Sequence, residues 1–440
     1  MSGERKAPDF ILLGAVAALC LIGLTMILSA SSATAASYST MAYFWQQQCM
    51  WLGVGVVLAF VVYHLPPKAL RAAAPFAMLA AIIALVLVFI PHIGVPVNGA
   101  HRWIHVGRFS FEPSEFAKLA LVLYLAAWLG HASARRLGLF ALLGGTIPPV
   151  IAALLVVCEP DLGTACIIGA VIVAVLFVAG VRLWQLGALS LAALAALAAA
   201  VLRHGTWLAR FSIFLDPWRD PKNAGFHIIQ SLYALGSGGL TGVGLGRSSE
   251  KFYYLPEQYT DFIFSVLGEE LGMIGTVVVV VLFLVIAFRA YRIASKSPDR
   301  FARVLVTGCG AMIVVQAFVN VGVVTSSLPV TGVPLPFISF GGSALIADLV
   351  AVALILNIGS RRAVRAAVER RRRFRVIEGK GAGKAAAPQP AEQPPRIAIV
   401  PPASPPLLFE PASRRFEALW EIERAVLDAS YAFETSVHAP

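Results

Sequence analysis

The sequence predicts an all-α fold: a polytopic membrane protein of ten transmembrane helices, with both termini cytoplasmic and one large outer loop between the seventh and eighth helices. Three observations predict it. Of 440 residues, 58% are hydrophobic and only 13% are charged, and the mean hydropathy is +0.78, far more apolar than a soluble chain of this length requires. Ten apolar runs, near 11–30, 45–64, 73–91, 114–131, 138–158, 162–180, 183–202, 262–289, 302–324 and 340–359, are long enough for a hydrocarbon core of about 30 Å. The third observation is charge. With Met1 cytoplasmic, Lys68 and Arg71, Arg135 and Arg136, Arg182, then Arg289, Arg292, Lys296, Arg300 and Arg303, and finally Arg361 onward all fall on the cytoplasmic side, as the positive-inside rule requires.

The net charge of +11 taken alone would admit a nucleic-acid partner. The basic residues instead form short clusters between apolar runs, a distribution that a membrane explains and nucleic acid does not. Cys20, Cys49, Cys158, Cys166 and Cys309 lie in or beside apolar runs at no metal-ligand spacing, so packing is their role and no disulfide framework is expected. At the N-terminus, Arg5 and Lys6 precede a run of spanning length with no small-residue cleavage pattern, which reads as a retained first span.

The outer side then receives the loops 31–44, 92–113, 159–161, 203–261 and 325–339. The long one holds Arg203, Arg210, Arg219, Lys222, Arg247 and Lys251, but long loops largely escape the charge rule. Within it, Asp216 to Gly225 reads as turns, and Phe226 to Leu235 has the spacing of a helix lying along the membrane surface. From Gly236 to Gly246 glycine recurs too often for a helix and permits close backbone approach, while Leu240, Val243 and Leu245 favour an ordered segment over a flexible linker.

Residues 1–360 form the membrane domain in this reading, and 361–410 a basic juxtamembrane segment followed by a disordered linker rich in Ala, Pro and Gly. Residues 411–440 form a short amphipathic cytoplasmic tail. There Phe416, Leu419, Trp420, Val426 and Leu427 share one helical face, and acidic residues outnumber arginines. That composition suits a protein groove better than an anionic membrane, with a nascent helix as the alternative.

Four polar stations face the outer side. Asn98 to Lys118 contains Arg102 and Trp103, and Glu115 and Lys118, three residues apart, share a helix face. They are either a structural ion pair or a charged wall facing a cavity. Glu159 to Thr164 is a short turn in which Asp161 could cap the next helix. Lys251 to Asp261 approaches the eighth span, where Asp261 is either another cap or a catalytic acid, and Glu269 and Glu270 lie about two turns deeper. Asn320, then Ser327 to Ser343 with three prolines and Gly332, forms irregular backbone near membrane depth, tolerated only where it is buried or lines a wet cavity. Asp348 lies in the last span. No nucleotide loop, zinc spacing, serine elbow or dinucleotide fingerprint is present. An enzyme built this way must use a substrate that is already activated.

In order and spacing, these stations resemble the SEDS family of bacterial cell-wall polymerases, FtsW, RodA and SpoVE. The matching stretches are Asn98 to Lys118, Pro160 to Thr164, Gln230 to Gly275 and Leu328 to Ser343, and the resemblance covers about residues 10 to 360. Ile229 to Gly239 followed by Glu250 to Glu257 looks more like the FtsW/SpoVE branch than RodA. Glu112 and Glu159 stand where the family usually has Gln, Arg108 where Pro is common and Phe340 where Tyr is usual, departures expected to alter local charge.

The resemblance implies a peptidoglycan glycosyltransferase of the bacterial cytoplasmic membrane, at the division septum. It would polymerise lipid II at the outer face, work with a class B penicillin-binding protein and meet other division or elongation proteins. It places the catalytic carboxylate at Asp261, acting as general base on the acceptor sugar hydroxyl while polyprenyl pyrophosphate leaves. The implied substrate-binding residues are Arg102, Trp103, Glu115, Lys118, Lys251, Ser339 and Ser343, with Arg102, Lys118 or Arg247 stabilising the leaving group. No cofactor is required by the sequence, and a divalent cation is the open alternative for that charge. Two other readings compete, a lipid II flippase and a non-catalytic scaffold for the penicillin-binding protein. Transport favours charges through the midplane and inverted repeats, whereas the sequence shows no internal repeat and its polar stations cluster on the outer side.

Overall fold

The computed structural model describes residues 7–31, 43–97, 100–106, 109–131, 138–203, 205–222, 225–248, 258–297 and 299–381. The chain divides into two compact units, Met1–Val376 and Ile377–Pro440, and the predicted linker and tail beyond 381 lie outside the described residues.

The first unit begins with α1 (Phe10–Ser31), α2 (Tyr43–His64) and α3 (Pro67–Leu87). Asp9 Oδ1 accepts the Leu12 amide at the entry to α1, and Pro67 opens α3 where its missing N–H costs nothing. Next come β1 (Gly94–Val97), β2 (Ala100–Val106) and β3 (Phe109–Phe111), then α4 (Pro113–His131), α5 (Leu139–Cys158), α6 (Leu162–Ala179) and α7 (Leu183–Arg203). The outer loop holds α8 (Gly205–Leu215) and α9 (Phe226–Ser237), followed by α10 (Ile263–Ser295), α11 (Arg300–Val324) and α12 (Gly342–Gly381).

Among the described residues nine helices are long and apolar enough to cross a membrane: α1, α2, α3, α5, α6, α7, α10, α11 and the Gly342–Arg361 part of α12. The tenth predicted span is α4, whose 19 residues include Glu115 and Lys118. It is an interior helix, with Leu121, Val122, Leu125 and Ala126 fully enclosed. The centre of the bundle is α11, packed against α4, α6 and α10. By contrast α7 has only Gln185 and Leu186 buried, so nearly all of its apolar surface is available to lipid.

The predicted cytoplasmic charges meet one another. Arg71 Nη2 donates to Asp299 Oδ2 at 2.5 Å with its guanidinium 4.5 Å above the Phe301 ring. Arg289 Nε reaches both carboxylate oxygens of Asp9 at 3.0 and 2.9 Å, and Arg361 Nη2 donates to the Leu65 carbonyl at 3.0 Å. Three arginines assigned to one side by charge counting are therefore tied to the entry of α1, the start of α11 and the turn after α2.

Four features depart from the sequence reading. The loop 92–113 carries a three-stranded antiparallel sheet in the order β1-β2-β3, with Val95 opposite Trp103 and Ile104 opposite Phe111. Residues 205–215 are helical. Helix α12 continues through the basic juxtamembrane segment to Gly381. Finally, the eighth span is broken at Gly272, whose φ of 67° and ψ of −165° interrupt α10.

That break explains the glycine-rich segment. Where the helix opens, Val243 N donates to Glu269 O at 3.0 Å and Gly244 N to Glu270 O at 3.1 Å, while Met273 N and Ile274 N donate to Gly239 O and Leu240 O at 2.9 and 3.2 Å. Backbone groups freed by the kink are thereby satisfied by a second chain segment, as burial requires. A Cβ on Gly272 would lie 2.3 Å from Gly242 N, and one on Gly242 would lie 2.2 Å from Glu270 O. Only glycine on both sides permits the contact, and the segment is ordered as expected.

Candidate active site

Asp261 stands immediately before α10, whose N-cap is Phe262. Two segments clamp the Asp261 backbone. Asn320 Nδ2, from α11, donates to Asp261 O at 2.7 Å and to Val333 O at 2.8 Å. The re-entrant stretch after α11 supplies Ser339 Oγ to Thr260 O at 2.6 Å and Phe340 N to Tyr259 O at 2.9 Å. The Tyr259 ring packs 4.5 Å from Phe44 on α2 and 6.0 Å from Phe340, centroid to centroid.

The irregular backbone forecast for 327–343 starts exposed at Ser327 and Leu328, is mostly buried in protein from Val333 to Ser339 and closes on itself, with Leu335 N donating to Ser339 Oγ at 2.8 Å. Gln48 on α2 fixes its far end, donating to Ser339 O at 3.1 Å and accepting from Gly341 N at 3.3 Å. Gly332, with φ of 69°, brings this stretch to the carboxylate. A Cβ there would lie 3.5 Å from Asp261 Oδ2 and 3.8 Å from Arg102 Nη1. The acid and the arginine thus border one small space, walled by a residue that has no side chain.

Arg102 comes from β2 and spans toward α6. Its Nη2 donates to Pro160 O at 2.7 Å, and its Nη1 lies 3.7 Å from Asp161 Oδ2. Asp161 caps α6 through Oδ1 to Thr164 N at 3.1 Å, so the capping role expected of it is real and coexists with the ion pair. Arg102 is the extra residue of β2 where the register with β1 shifts, between His101 opposite Pro96 and Trp103 opposite Val95. Arg210, on α8, completes the basic side. It is exposed by surface area, yet burial and then repulsion from Arg102 push its guanidinium pKa down, while Asp161 and Asp261 pull it up. Sequence reasoning counted Arg210 only as loop charge, although the apolar residues Trp207, Leu208, Phe211 and Phe214 around it carried a helical signal.

Two neighbouring acids are held neutral. Glu159 is fully buried with neither carboxylate oxygen hydrogen-bonded among the described residues. Burial, then repulsion from Asp161 and Glu112, raise its pKa to about 9 against the pull of Arg102. Glu112 accepts from Ser114 Oγ at 3.2 Å, and its amide donates to Ser343 Oγ at 3.0 Å. Burial, Glu115 and Asp161 raise its pKa to about 8, opposed by Arg102 and Lys118. These are two of the departures expected to alter local charge, and burial favours their uncharged forms.

Several predicted binding residues serve elsewhere. Lys118, 1% exposed, donates to Glu115 Oε1 at 2.8 Å and to Gln316 Oε1 at 2.5 Å, and Gln316 Nε2 holds Pro334 O at 3.1 Å. The Glu115–Lys118 pair is an internal tie between α4, α11 and the re-entrant stretch, because an enclosed ammonium must spend its donors locally. Ser339 and Ser343 likewise bond backbone atoms. Lys251 lies outside the described residues. Glu269 accepts a short hydrogen bond from Ser248 Oγ, and Glu270 accepts from Ser29 Oγ at 2.6 Å, so both fasten the broken helix to its surroundings. No group of three or more His, Cys, Asp or Glu among the described residues is arranged to hold a metal ion.

The profile of the FtsW/RodA/SpoVE cell cycle proteins matches residues 10–363. Stage V sporulation protein E of Bacillus subtilis is 40% identical over 363 residues, 81% of this chain and 98% of that protein. A probable peptidoglycan glycosyltransferase FtsW from Trichlorobacter lovleyi is 40% identical over 357 residues, 80% and 93% of the two chains. Among solved structures, a chain of a peptidoglycan synthase complex that coordinates polymerization and crosslinking superposes with a TM-score of 0.67 at 30% identity, covering 81% of this chain and 98% of that one. The rod shape determining protein RodA of Thermus thermophilus gives 0.60 at 29% identity over the same shares. With the profile covering residues 10–363 and these relatives at 40% identity, the chain belongs to the FtsW/RodA/SpoVE family, on the FtsW/SpoVE side.

Proposed function

We propose that the protein is a peptidoglycan glycosyltransferase that polymerises lipid II at the outer face of the bacterial cytoplasmic membrane. The observation that carries this reading is Asp261. It is an acid at the outer entry to α10, fixed through its own carbonyl by Asn320 and sharing a glycine-walled space with Arg102. Its carboxylate accepts the proton of the acceptor sugar 4-hydroxyl as that oxygen bonds to the donor anomeric carbon. The anomeric carbon–oxygen bond to the diphosphate breaks, and its electron pair leaves on the polyprenyl diphosphate. A positioned general base contributes about 10²- to 10⁴-fold.

Arg102 and Arg210 receive the charge of the leaving diphosphate, in place of the enclosed Lys118. A divalent cation is the alternative carrier, and a chelator that abolishes turnover would assign it the role. The class B penicillin-binding protein is the proposed crosslinking partner, and the division septum the proposed site of action.

The test incubates the purified protein and such a partner with lipid II and follows glycan polymer. Polymer from the wild type and none from Asp261→Asn is expected. Polymer at the wild-type rate from Asp261→Asn would remove Asp261 from the chemistry, polymer from the partner alone would make this chain a scaffold, and lipid II crossing vesicles without polymer would make it a flippase.

A further inference from the structure

The re-entrant stretch 327–343 carries four hydroxyl side chains, Ser327, Thr331, Ser339 and Ser343, and three of them are spent. Ser327 Oγ lies 3.1 Å from Thr325 Oγ1, Ser339 Oγ donates to Thr260 O and accepts the Leu335 amide, and Ser343 Oγ accepts the Glu112 amide. Thr331 is the exception. Its Oγ1 is enclosed, yet it has no hydrogen-bond partner among the described residues. A hydroxyl withdrawn from water with nothing in exchange destabilises the fold, whereas a valine of the same shape would not. Valines stand at positions 330 and 333 of the same stretch, so branched apolar side chains are accommodated on either side.

The position of Thr331 shows what the hydroxyl is kept for. The next residue is Gly332, the wall between Asp261 Oδ2 and Arg102 Nη1. Thr331 itself packs against the first turn of α6, where a Cβ on Gly163 would lie 2.7 Å from Thr331 Cβ and 2.8 Å from Thr331 O. Only a glycine lets the stretch come that close. Thr331 is thus held beside the helix end that Asp161 caps, next to the wall of the space shared by Asp261 and Arg102. It is partly exposed, so it belongs to the border of that space and not to the core. Arg102 likewise has an enclosed Nε without a hydrogen-bond partner among the described residues. Two unspent donor groups therefore belong to residues that border one space.

We propose that the Thr331 hydroxyl donates a hydrogen bond to the diphosphate of the lipid-linked donor, beside Arg102. A threonine hydroxyl changes direction by one staggered rotation about the Cα–Cβ bond, so it can exchange its enclosed position for a ligand oxygen. As the anomeric carbon–oxygen bond breaks and its electron pair passes to the diphosphate, that hydrogen bond strengthens, and no proton is transferred through it. Thr331 is a substrate-contacting residue whose effect falls mainly on kcat.

The identity of the diphosphate rests on the glycosyltransferase reading, and the experiment separates the two. Its probe is radiolabelled polyprenyl diphosphate, whose equilibrium binding to the purified full-length protein in detergent is read without turnover. Thr331→Val, which removes the hydroxyl and keeps the shape, should bind it about 10- to 100-fold more weakly, the size of one hydrogen bond to a charged group. With lipid II and the penicillin-binding partner, the same variant should lose kcat by a similar factor while its melting temperature stays at or above that of the wild type. Thr331→Ser, which keeps the hydroxyl, should restore both binding and turnover. Unchanged diphosphate binding and turnover in Thr331→Val overturn the proposal. A lowered melting temperature with no rescue by Thr331→Ser also overturns it, making Thr331 a packing residue, and a raised KM for lipid II with diphosphate binding intact does so by moving the hydroxyl to the sugar. Weaker diphosphate binding by Thr331→Val in a protein that makes no polymer upholds the contact and refutes the glycosyltransferase reading alone.

Discussion

Asn320→Ala tests whether Asp261 depends on its clamp. One amide nitrogen holds two carbonyls, Asp261 O at 2.7 Å and Val333 O at 2.8 Å, from a side chain that is 1% exposed. Losing the hydrogen bond to each of these carbonyls costs about 1–2 kcal/mol. Together these give about 2–4 kcal/mol against the arrangement that puts the carboxylate beside Gly332. At about 1.4 kcal/mol per factor of ten, kcat should fall by about 30- to 1,000-fold, in line with the about 10²-fold attached to misplacing a catalytic group by an ångström. The assay is glycan polymerisation at saturating lipid II with the penicillin-binding partner present. Thr325→Ala, on an exposed side chain at the end of the same helix, serves as the control and should stay within about threefold of wild type. A folded Asn320→Ala protein whose kcat matches that control would refute the clamp.

Gly332→Ala adds a methyl group at a φ of 69°, about 3.5 Å from Asp261 Oδ2. We expect a stability loss of about 1 kcal/mol and a larger fall in polymerisation, checked by thermal melting beside turnover. Gly272→Ala should reduce the yield of folded protein far more, because its Cβ would sit 2.3 Å from Gly242 N and 2.6 Å from Leu240 O, backbone atoms that cannot step aside; detergent-solubilised monodisperse yield is the measure. The two neutral acids also predict a pH dependence of stability. Glu112 and Glu159 keep protons in the fold that the unfolded chain releases near 4.5. Stability should therefore fall as pH rises from about 4.5 to about 8 for Glu112 and about 9 for Glu159, with a limiting slope of about 1.4 kcal/mol per pH unit for each group. Chemical denaturation across that range should show the decline in the wild type and a flatter profile in the Gln variants. Arg210→Ala should lower kcat more than it raises KM if the guanidinium acts on the leaving diphosphate, and a pure KM effect would assign it to binding alone.

Hydrophobic run length and loop charge carried the topology by themselves, because spanning a bilayer imposes a minimum length and a charge asymmetry that act on each segment locally. Glycine recurrence likewise announced a close backbone contact in 236–246, and prolines with Gly332 announced irregular backbone at depth. The small sheet at 94–111 escaped because its strands are short and its pairing is fixed by neighbours rather than by period. The break at Gly272 escaped because an isolated glycine in an apolar run looks the same whether or not a second segment waits to accept its freed backbone groups. Which acid is the N-cap of its helix was also beyond the sequence. Asp161 and Asp261 both precede helices; Asp161 is the N-cap of α6 and closes the turn with its carboxylate, whereas the N-cap of α10 is Phe262. The same holds for charge state: Glu159 is one more acid in the sequence, and only the packing that withholds every donor from it makes it neutral. Composition and period act along the chain, where the sequence can be read; partnership, desolvation and the placement of Asp261 beside Arg102 join residues about 160 positions apart, and only the tertiary structure decides them.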